Sequence, residues 1–153
     1  MKIISDIIEA HIYRRKGEKY ELLLLKRSSN EDVYPGIWQP ITGRMKNDEK
    51  AWEAALREIR EETGITPDSF FVVPNVNSYY NPQNDTTSII PVFVGEVQEN
   101  VEVQLSEEHD EYSWCSLEEA LPLLAWPGQR KSARLIMEKA ADENIYFDPV
   151  KLI

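Results

Sequence analysis

The stretch Gly43-Arg-Met-Lys-Asn-Asp-Glu49-Lys-Ala-Trp-Glu-Ala-Ala-Leu-Arg57-Glu58-Ile59-Arg-Glu61-Glu62-Thr63-Gly64-Ile65 decides how this chain is read. From Glu49 or Lys50 to Thr63 it predicts a helix, and Gly64 stands where a helix C-cap favours a residue free to adopt positive φ. At about 100° per residue, with Glu58 set at zero, Glu61 falls near −60° and Glu62 near +40°. Three carboxylates therefore share one face, since side chains three and four residues apart are neighbours. Ala55, Ile59, Trp52 and Leu56 gather between roughly 60° and 160° of the same wheel. This predicts an apolar edge anchored in a core beside an edge that displays acids. Ala54 falls among the acids and is expected to keep that surface uncrowded.

Three acids near a helix C-terminus repel one another and oppose the macrodipole, each effect costing some tenths of a kcal/mol or more. A hard divalent cation would reverse the sign of that local field, because such ions take oxygen ligands and bridge carboxylates to phosphates. A bare Glu-x-x-Glu-Glu reads most simply as a solvated acidic face, and Glu53 with Arg57 as an ordinary surface pair. The full spacing changes the weighing. It runs Gly, five residues, Glu, seven residues, Arg-Glu, an apolar residue, any residue, Glu-Glu, any residue, Gly, an apolar residue. Seven fixed and two apolar positions would be met by chance roughly once in ten million chains of this length.

Outward from this helix the chain reads as strands and then helices. Ser5 to Arg14 and Tyr20 to Lys26 form a hairpin around Lys16-Gly17-Glu18, and Leu22-Leu23-Leu24-Leu25 suits a strand buried on both faces. Trp38 to Thr42 is a short extended segment, since Gln39 precedes Pro40. Phe70 to Tyr80, Thr86 to Val97 and Glu111 to Cys115 are further strands. Asn100 to Glu111 reads as an exposed acidic segment. Ser116 and Glu119 make a capping box for a helix from Leu117 to Leu124. Pro127-Gly128 is taken as a break before a last helix, Gln129 to Asn144. The order predicts a single α+β domain over residues 1–153 with a mixed sheet. Neither a Gly-x-Gly-x-x-Gly nor a Walker phosphate loop occurs.

Composition narrows the function classes. A net charge of −10 argues against general nucleic-acid binding, which depends on Lys and Arg at phosphates. The longest apolar run is far too short to cross a bilayer, and Met1 to Asp6 lacks a secretory signal, so a cytoplasmic location is expected. The single cysteine, Cys115, forms no internal disulfide and is expected to be an inert, half-buried residue.

With every position of the spacing filled, the segment from Gly43 to Ile65 resembles the Nudix box, and the strand order around it resembles the Nudix hydrolases over most of the chain. The resemblance implies an α/β/α sandwich with a mixed sheet. It also implies a hydrolase that cleaves a diphosphate linkage with Mg²⁺, or Mn²⁺ in its place. Glu58, Glu61 and Glu62 would be metal ligands, joined by the Gly43 carbonyl, while Glu49 and Arg57 would hold the loop against the helix. A carboxylate outside the first metal shell would take the proton of the attacking water; Glu108 is the candidate, with Glu61 the other catalytic acid. Glu108-His109 ahead of Tyr112 and Trp114 resembles bacterial nucleoside-triphosphate and dihydroneopterin-triphosphate pyrophosphohydrolases of the family. The expected substrate is thus a nucleoside or pterin triphosphate. Nucleotide sugars and dinucleoside polyphosphates are alternatives, and a non-catalytic nucleotide sensor is the reading from another class. Arg27 and Arg44 are candidate phosphate contacts, and Trp38 a candidate base contact or hydrophobic anchor. Tyr79 and Tyr80 are read as strand-packing residues ahead of cleft-lining ones, His11 as a satisfied sheet residue, and His109 as a surface or capping residue with a site-lining role as the alternative. The partner expected is a small nucleotide-like diphosphate, with a homodimer admitted.

Overall fold

A computed structural model describes residues 1–152. Eight strands are β1 (Lys2–Ile4), β2 (Ile7–Lys16), β3 (Lys19–Arg27), β4 (Trp38–Gln39), β5 (Ile41–Arg44), β6 (Ser69–Asn81), β7 (Thr86–Val97) and β8 (His109–Cys115). Three helices are α1 (Ala51–Thr63), α2 (Leu117–Leu123) and α3 (Pro127–Ala141). The strands form one mixed sheet: β1-β7-β2-β3-β4 in order, with β5 beside β2, β6 beside β7 and β8 beside β3. The pairs β2–β7 and β1–β7 are parallel and the rest antiparallel. This is the expected α+β architecture.

The Leu run shows how the sheet is held. Leu23 and Leu25 enter one apolar cluster with Ile8, Ile12, Phe93 and the α1 residues Ala55 and Ile59. Leu22 and Leu24 enter a second with Val92, Val94 and the α3 residues Ala133 and Ile136. A strand with a period of two can feed both layers only if its even and odd positions are all apolar, as here. The α3 layer covers one face of the sheet and α1 the other.

Strand β2 is shared along one edge. Its first half pairs with β5, placing Ile8 opposite Gly43, and its second half with β3, placing Tyr13 opposite Leu22. Strand β5 then runs through a short loop into α1, so Gly43 and the glutamates of the helix are held side by side. The helix ends where the sequence predicts: Gly64 has φ of 72° and its N–H donates to the Arg60 carbonyl.

Several expectations are corrected. A short strand, β1, precedes the first one expected and pairs in parallel with β7. Ala54 is fully buried in the α1 cluster rather than part of an open surface beside the acids, because that side of the helix is itself covered, as the burial of Glu62 shows. Helix α3 starts at Pro127, not Gln129, since proline at the first helical position already has helical φ; it ends at Ala141. Strand β8 starts at His109, two residues before the expected Glu111, and carries that histidine inside. Among the described residues no helix is long and apolar enough to cross a membrane.

Candidate active site

The site is built where α1, the start of β8 and the loop before it converge. Glu58, Glu61, Glu62, Ser106, Glu107 and Glu108 line a cleft of about 360 Å³. The three helical acids stand at different depths. Glu62 is 3% exposed and Glu61 is open to solvent, while Glu58 lies half-buried between them. Glu108 faces them from the loop and is exposed.

Arg57 organises the rim, and all five of its N–H donors are used. Nε and Nη2 reach the two Glu49 oxygens at 2.7 and 3.0 Å, Nη2 also reaches the Arg44 carbonyl oxygen at 2.9 Å, and Nη1 reaches Glu58 at 2.8 Å and Glu61 at 3.2 Å. One guanidinium thus ties the loop after β5 to the helix and fixes two of the acids. Its hydrogen bond to Glu49, with the Lys46 backbone N–H, holds the Glu49 carboxyl down at about 2. Gly43 is tight against the same acids: a Cβ there would lie 2.2 Å from Glu58 Cδ. No other residue can stand at 43 without displacing Glu58.

The interior of the cleft is electrostatically unfavourable as it stands. Burial pushes the Glu62 carboxyl up to about 9, helped by the charges of Glu58 and Glu108 and opposed by Arg27. Burial also raises Glu58, against the pull of Arg57. Glu62 Oε2 is buried with no hydrogen-bond partner. Buried polar atoms are almost always paired, since leaving one unpaired costs about 1–3 kcal/mol. An orphaned carboxylate oxygen beside further carboxylates is the donor set that a divalent cation satisfies, so these residues fit such an ion.

Arg27 donates to the Val33 carbonyl oxygen at 2.9 Å and meets Glu31 at 3.4 Å, and its charge acts on Glu62 and His109. The Arg44 side chain is exposed and bonds Asp6 at 2.8 Å; only its carbonyl meets the Arg57 network. Trp38 packs against the α3-side cluster and bridges Leu124, an anchor's position. Tyr79 and Tyr80 are half-exposed on the β6–β7 hairpin, where Tyr80 donates to Asp85. Cys115 is buried.

His109 is not a surface residue. It is 4% exposed, its Nε2 lies 3.2 Å from the Gln39 side-chain nitrogen, and burial lowers its pKa. Gln39 itself was not a candidate. The signal available was its position between the anchor Trp38 and Pro40, in a strand too short for alternation to show which way it faces. On the other face of the sheet His11 meets Glu9 at 2.7 Å, both buried, and Asn77 donates to the second Glu9 oxygen. His11 is a satisfied sheet residue, as expected.

Comparison with known proteins agrees with this geometry. A model of the NUDIX domain matches residues 8–136. The chain is 38% identical over 109 residues to a bis(5'-nucleosyl)-tetraphosphatase [asymmetrical] of Mus musculus, covering 67% of this chain and 69% of that one. It is 34% identical over 104 residues to the nucleoside triphosphatase NudI of Klebsiella pneumoniae, covering 63% and 74%. Among solved structures, a Caenorhabditis elegans Ap4A hydrolase in a binary complex superposes with a TM-score of 0.76 at 26% identity, covering 90% of this chain and 98% of that chain.

Proposed function

The chain belongs to the NUDIX family of phosphoanhydride hydrolases, and from that premise we propose that it hydrolyses a nucleoside triphosphate, or a related pterin triphosphate, to the monophosphate and pyrophosphate with Mg²⁺. The observation that carries this reading is the convergence of Glu58, Glu61, Glu62 and Glu108 on one cleft, with a buried Glu62 oxygen left unpaired. Glu58, Glu61 and Glu62 would hold the ion, with the Gly43 carbonyl as a further ligand and Mn²⁺ as a substitute. When bound, the cation offsets the negative charge of the anhydride oxygens.

The chain's own residues supply the rest. Arg57 keeps Glu58 and Glu61 in register, so no side-chain ordering is needed when substrate arrives. Glu108 is the general base proposed: it faces the helical acids and is open to solvent, so a proton taken from water can leave. Arg27, whose charge acts on Glu62, is the phosphate contact favoured over Arg44, whose guanidinium is committed to Asp6. The proposed compartment is the cytoplasm, where nucleoside triphosphates are held.

A second reading rests on the relatives named as tetraphosphatases. In it, the same acids cleave a dinucleoside polyphosphate asymmetrically. One experiment tests both. Wild type and Glu61→Gln are incubated with Mg²⁺ and a panel of nucleoside triphosphates, dihydroneopterin triphosphate, diadenosine tetraphosphate and a nucleotide sugar, and products are resolved by anion exchange. Pyrophosphate released from a triphosphate by wild type and not by the variant supports the first reading. Turnover confined to the tetraphosphate supports the second. Binding without turnover in either protein would leave a nucleotide sensor and overturn both.

A further inference from the structure

His109 brings a nitrogen ligand to a place where the acids alone supply oxygen. It follows Glu108 directly, at the first position of β8, and points inward. Its Nδ1 is buried and has no hydrogen-bond partner, and neither has Glu62 Oε2. One ring nitrogen of His109, one oxygen of Glu62 and one of Glu108 all lie within 4.8 Å of one another. Two buried residues of the same cluster thus each keep a polar atom unpaired. That arrangement costs about 1–3 kcal/mol for each group and is relieved by a cation lying among the three.

We propose that Glu62, Glu108 and His109 form a mixed nitrogen–oxygen site that selects a transition-metal dication such as Zn²⁺ or Co²⁺ over Mg²⁺. The proposal deepens the metal-dependent reading above and rests on it, since Glu62 is a ligand in both; with the transition metal bound, Glu108 is a ligand in place of its role as general base. Mg²⁺ takes oxygen ligands and dehydrates reluctantly, whereas imidazole suits zinc and its neighbours. Two carboxylates and one neutral imidazole balance a dication's charge. Three protein ligands also leave a position open, as in hydrolytic zinc centres. Bonds of about 2.0–2.2 Å fix how close the three ligand atoms must come; Glu108, being exposed, is the side chain free to adjust.

Gln39 completes the arrangement. It is 5% exposed and its amide meets His109 Nε2 at 3.2 Å. Nitrogen and oxygen of a glutamine amide are assigned from the hydrogen-bond network. With the amide oxygen facing the ring, Nε2 carries the proton and donates it to Gln39, and Nδ1 keeps its lone pair free for a cation. A metal-bound histidine ordinarily has such an outer acceptor on its second nitrogen, and losing it costs 10–100-fold in metal affinity.

The chain has only two histidines, and the other, His11, is closed off against Glu9 on the opposite face. Imidazole signals are therefore readily assigned. Metal-free wild-type protein is titrated with ZnCl₂ and followed by ¹H–¹⁵N correlation of the histidine rings. The His109 Nδ1 resonance should shift at stoichiometric zinc while His11 stays in place. In parallel, Zn²⁺ and Mg²⁺ affinities are measured by calorimetry for wild type, His109→Gln and Gln39→Leu. The expected result is a loss of about 10–100-fold in zinc affinity for both variants, with magnesium affinity within about threefold of wild type. An unmoved His109 ring in zinc-saturated wild type overturns the proposal, whatever the variants do. So does equal loss of both metals in a folded variant. Mg²⁺-dependent turnover of triphosphates is scored separately: its absence would count against the hydrolase reading, while its presence with a silent His109 ring would count against this site alone.

Discussion

Two buried glutamate–histidine pairs sit on opposite faces of the same sheet, and they are built to different ends. Glu9 and His11 face the α3 layer at 2.7 Å, with Asn77 on the remaining glutamate oxygen. Gly128 is pressed so close to Asn77 that a Cβ there would lie 1.8 Å from its side-chain oxygen, which seals the group. Glu62 and His109 are buried just as deeply on the other side, yet one oxygen of the first and one nitrogen of the second have no partner. A satisfied buried pair specifies packing. An unsatisfied one beside a cleft is, in the reading proposed above, the place for a cation.

The largest effect that separates the two is on catalysis. Glu62→Gln should lower kcat/KM for the preferred substrate by about 10²–10³-fold, the scale seen when one charge-stabilising group is removed from an active site. Glu9→Gln should lower folding stability while leaving kcat/KM near that of wild type. Steady-state kinetics on both, each shown to be folded, breaks the comparison if the two variants lose activity alike.

Stability against pH should diverge next. The Glu62 carboxyl stands at about 9 in the fold against 4.5 for an unperturbed glutamate. Between those values the unfolded chain ionises and the metal-free native state does not. The contribution is therefore complete below about pH 4.5 and is lost as pH rises towards 9, with a total on the order of a few kcal/mol. Metal-free Glu62→Gln lacks this loss, so its urea midpoint should exceed that of wild type at pH 8 and approach it near pH 5. Equal slopes for the two proteins would mean that Glu62 is ionised in the native state. On the other face, His11→Ala leaves a Glu9 oxygen buried without its donor and should cost about 1–3 kcal/mol at neutral pH, read from the urea midpoint.

How far the sequence led differs between the two faces for a physical reason. Helix α1, its Gly64 stop, its apolar edge and the Leu22–Leu25 strand were all legible because period and caps are local properties. So was the Ser116–Glu119 box, where Glu119 N–H donates to Ser116 at 3.2 Å and Ser116 N–H to Glu119 at 2.9 Å. The burial of Ala54 and His109 was not, because both depend on where a distant element packs. His109 lies in an acid-rich run, and only its pairing with Arg27 across the sheet carries it inside. Strand β1 escaped notice because its parallel partner β7 lies more than eighty residues away in the chain. Gln39 and the depth of Glu62 belong to the same class. The wheel put three acids on one face but could not say that one of them would be sealed.

Gly43→Ala probes the site without touching a charge. The added methyl would meet Glu58 Cδ at 2.2 Å, and Glu58 is pinned by Arg57, so the carboxylate must leave its place. Mg²⁺ affinity should fall about tenfold, roughly 1.4 kcal/mol, with a smaller loss in the urea midpoint as the Arg57–Glu58 contact is displaced. Calorimetry and unfolding on the same sample would separate these, and a large loss of stability with unchanged metal affinity would contradict the assignment of Glu58 to the metal.

The smallest effect expected is at the rim, where Glu49 is the mirror of Glu62. Its carboxyl is held down at about 2, first by the hydrogen bond from Arg57 and then by the Lys46 N–H. With the folded value below the unfolded 4.5, its contribution is present above about pH 4.5 and is lost as pH falls through 2. Glu49→Gln should therefore show a shallower decline of the urea midpoint below pH 4.5 than wild type, and the difference should shrink in high salt, as for ion pairs near water. Arg57 keeps its bonds to Glu58, Glu61 and the Arg44 carbonyl in this variant, so turnover should fall by less than in Glu62→Gln. An acid limb unchanged by the substitution would show that the clamp contributes nothing to folding, and that Arg57 is held by the catalytic acids rather than holding them.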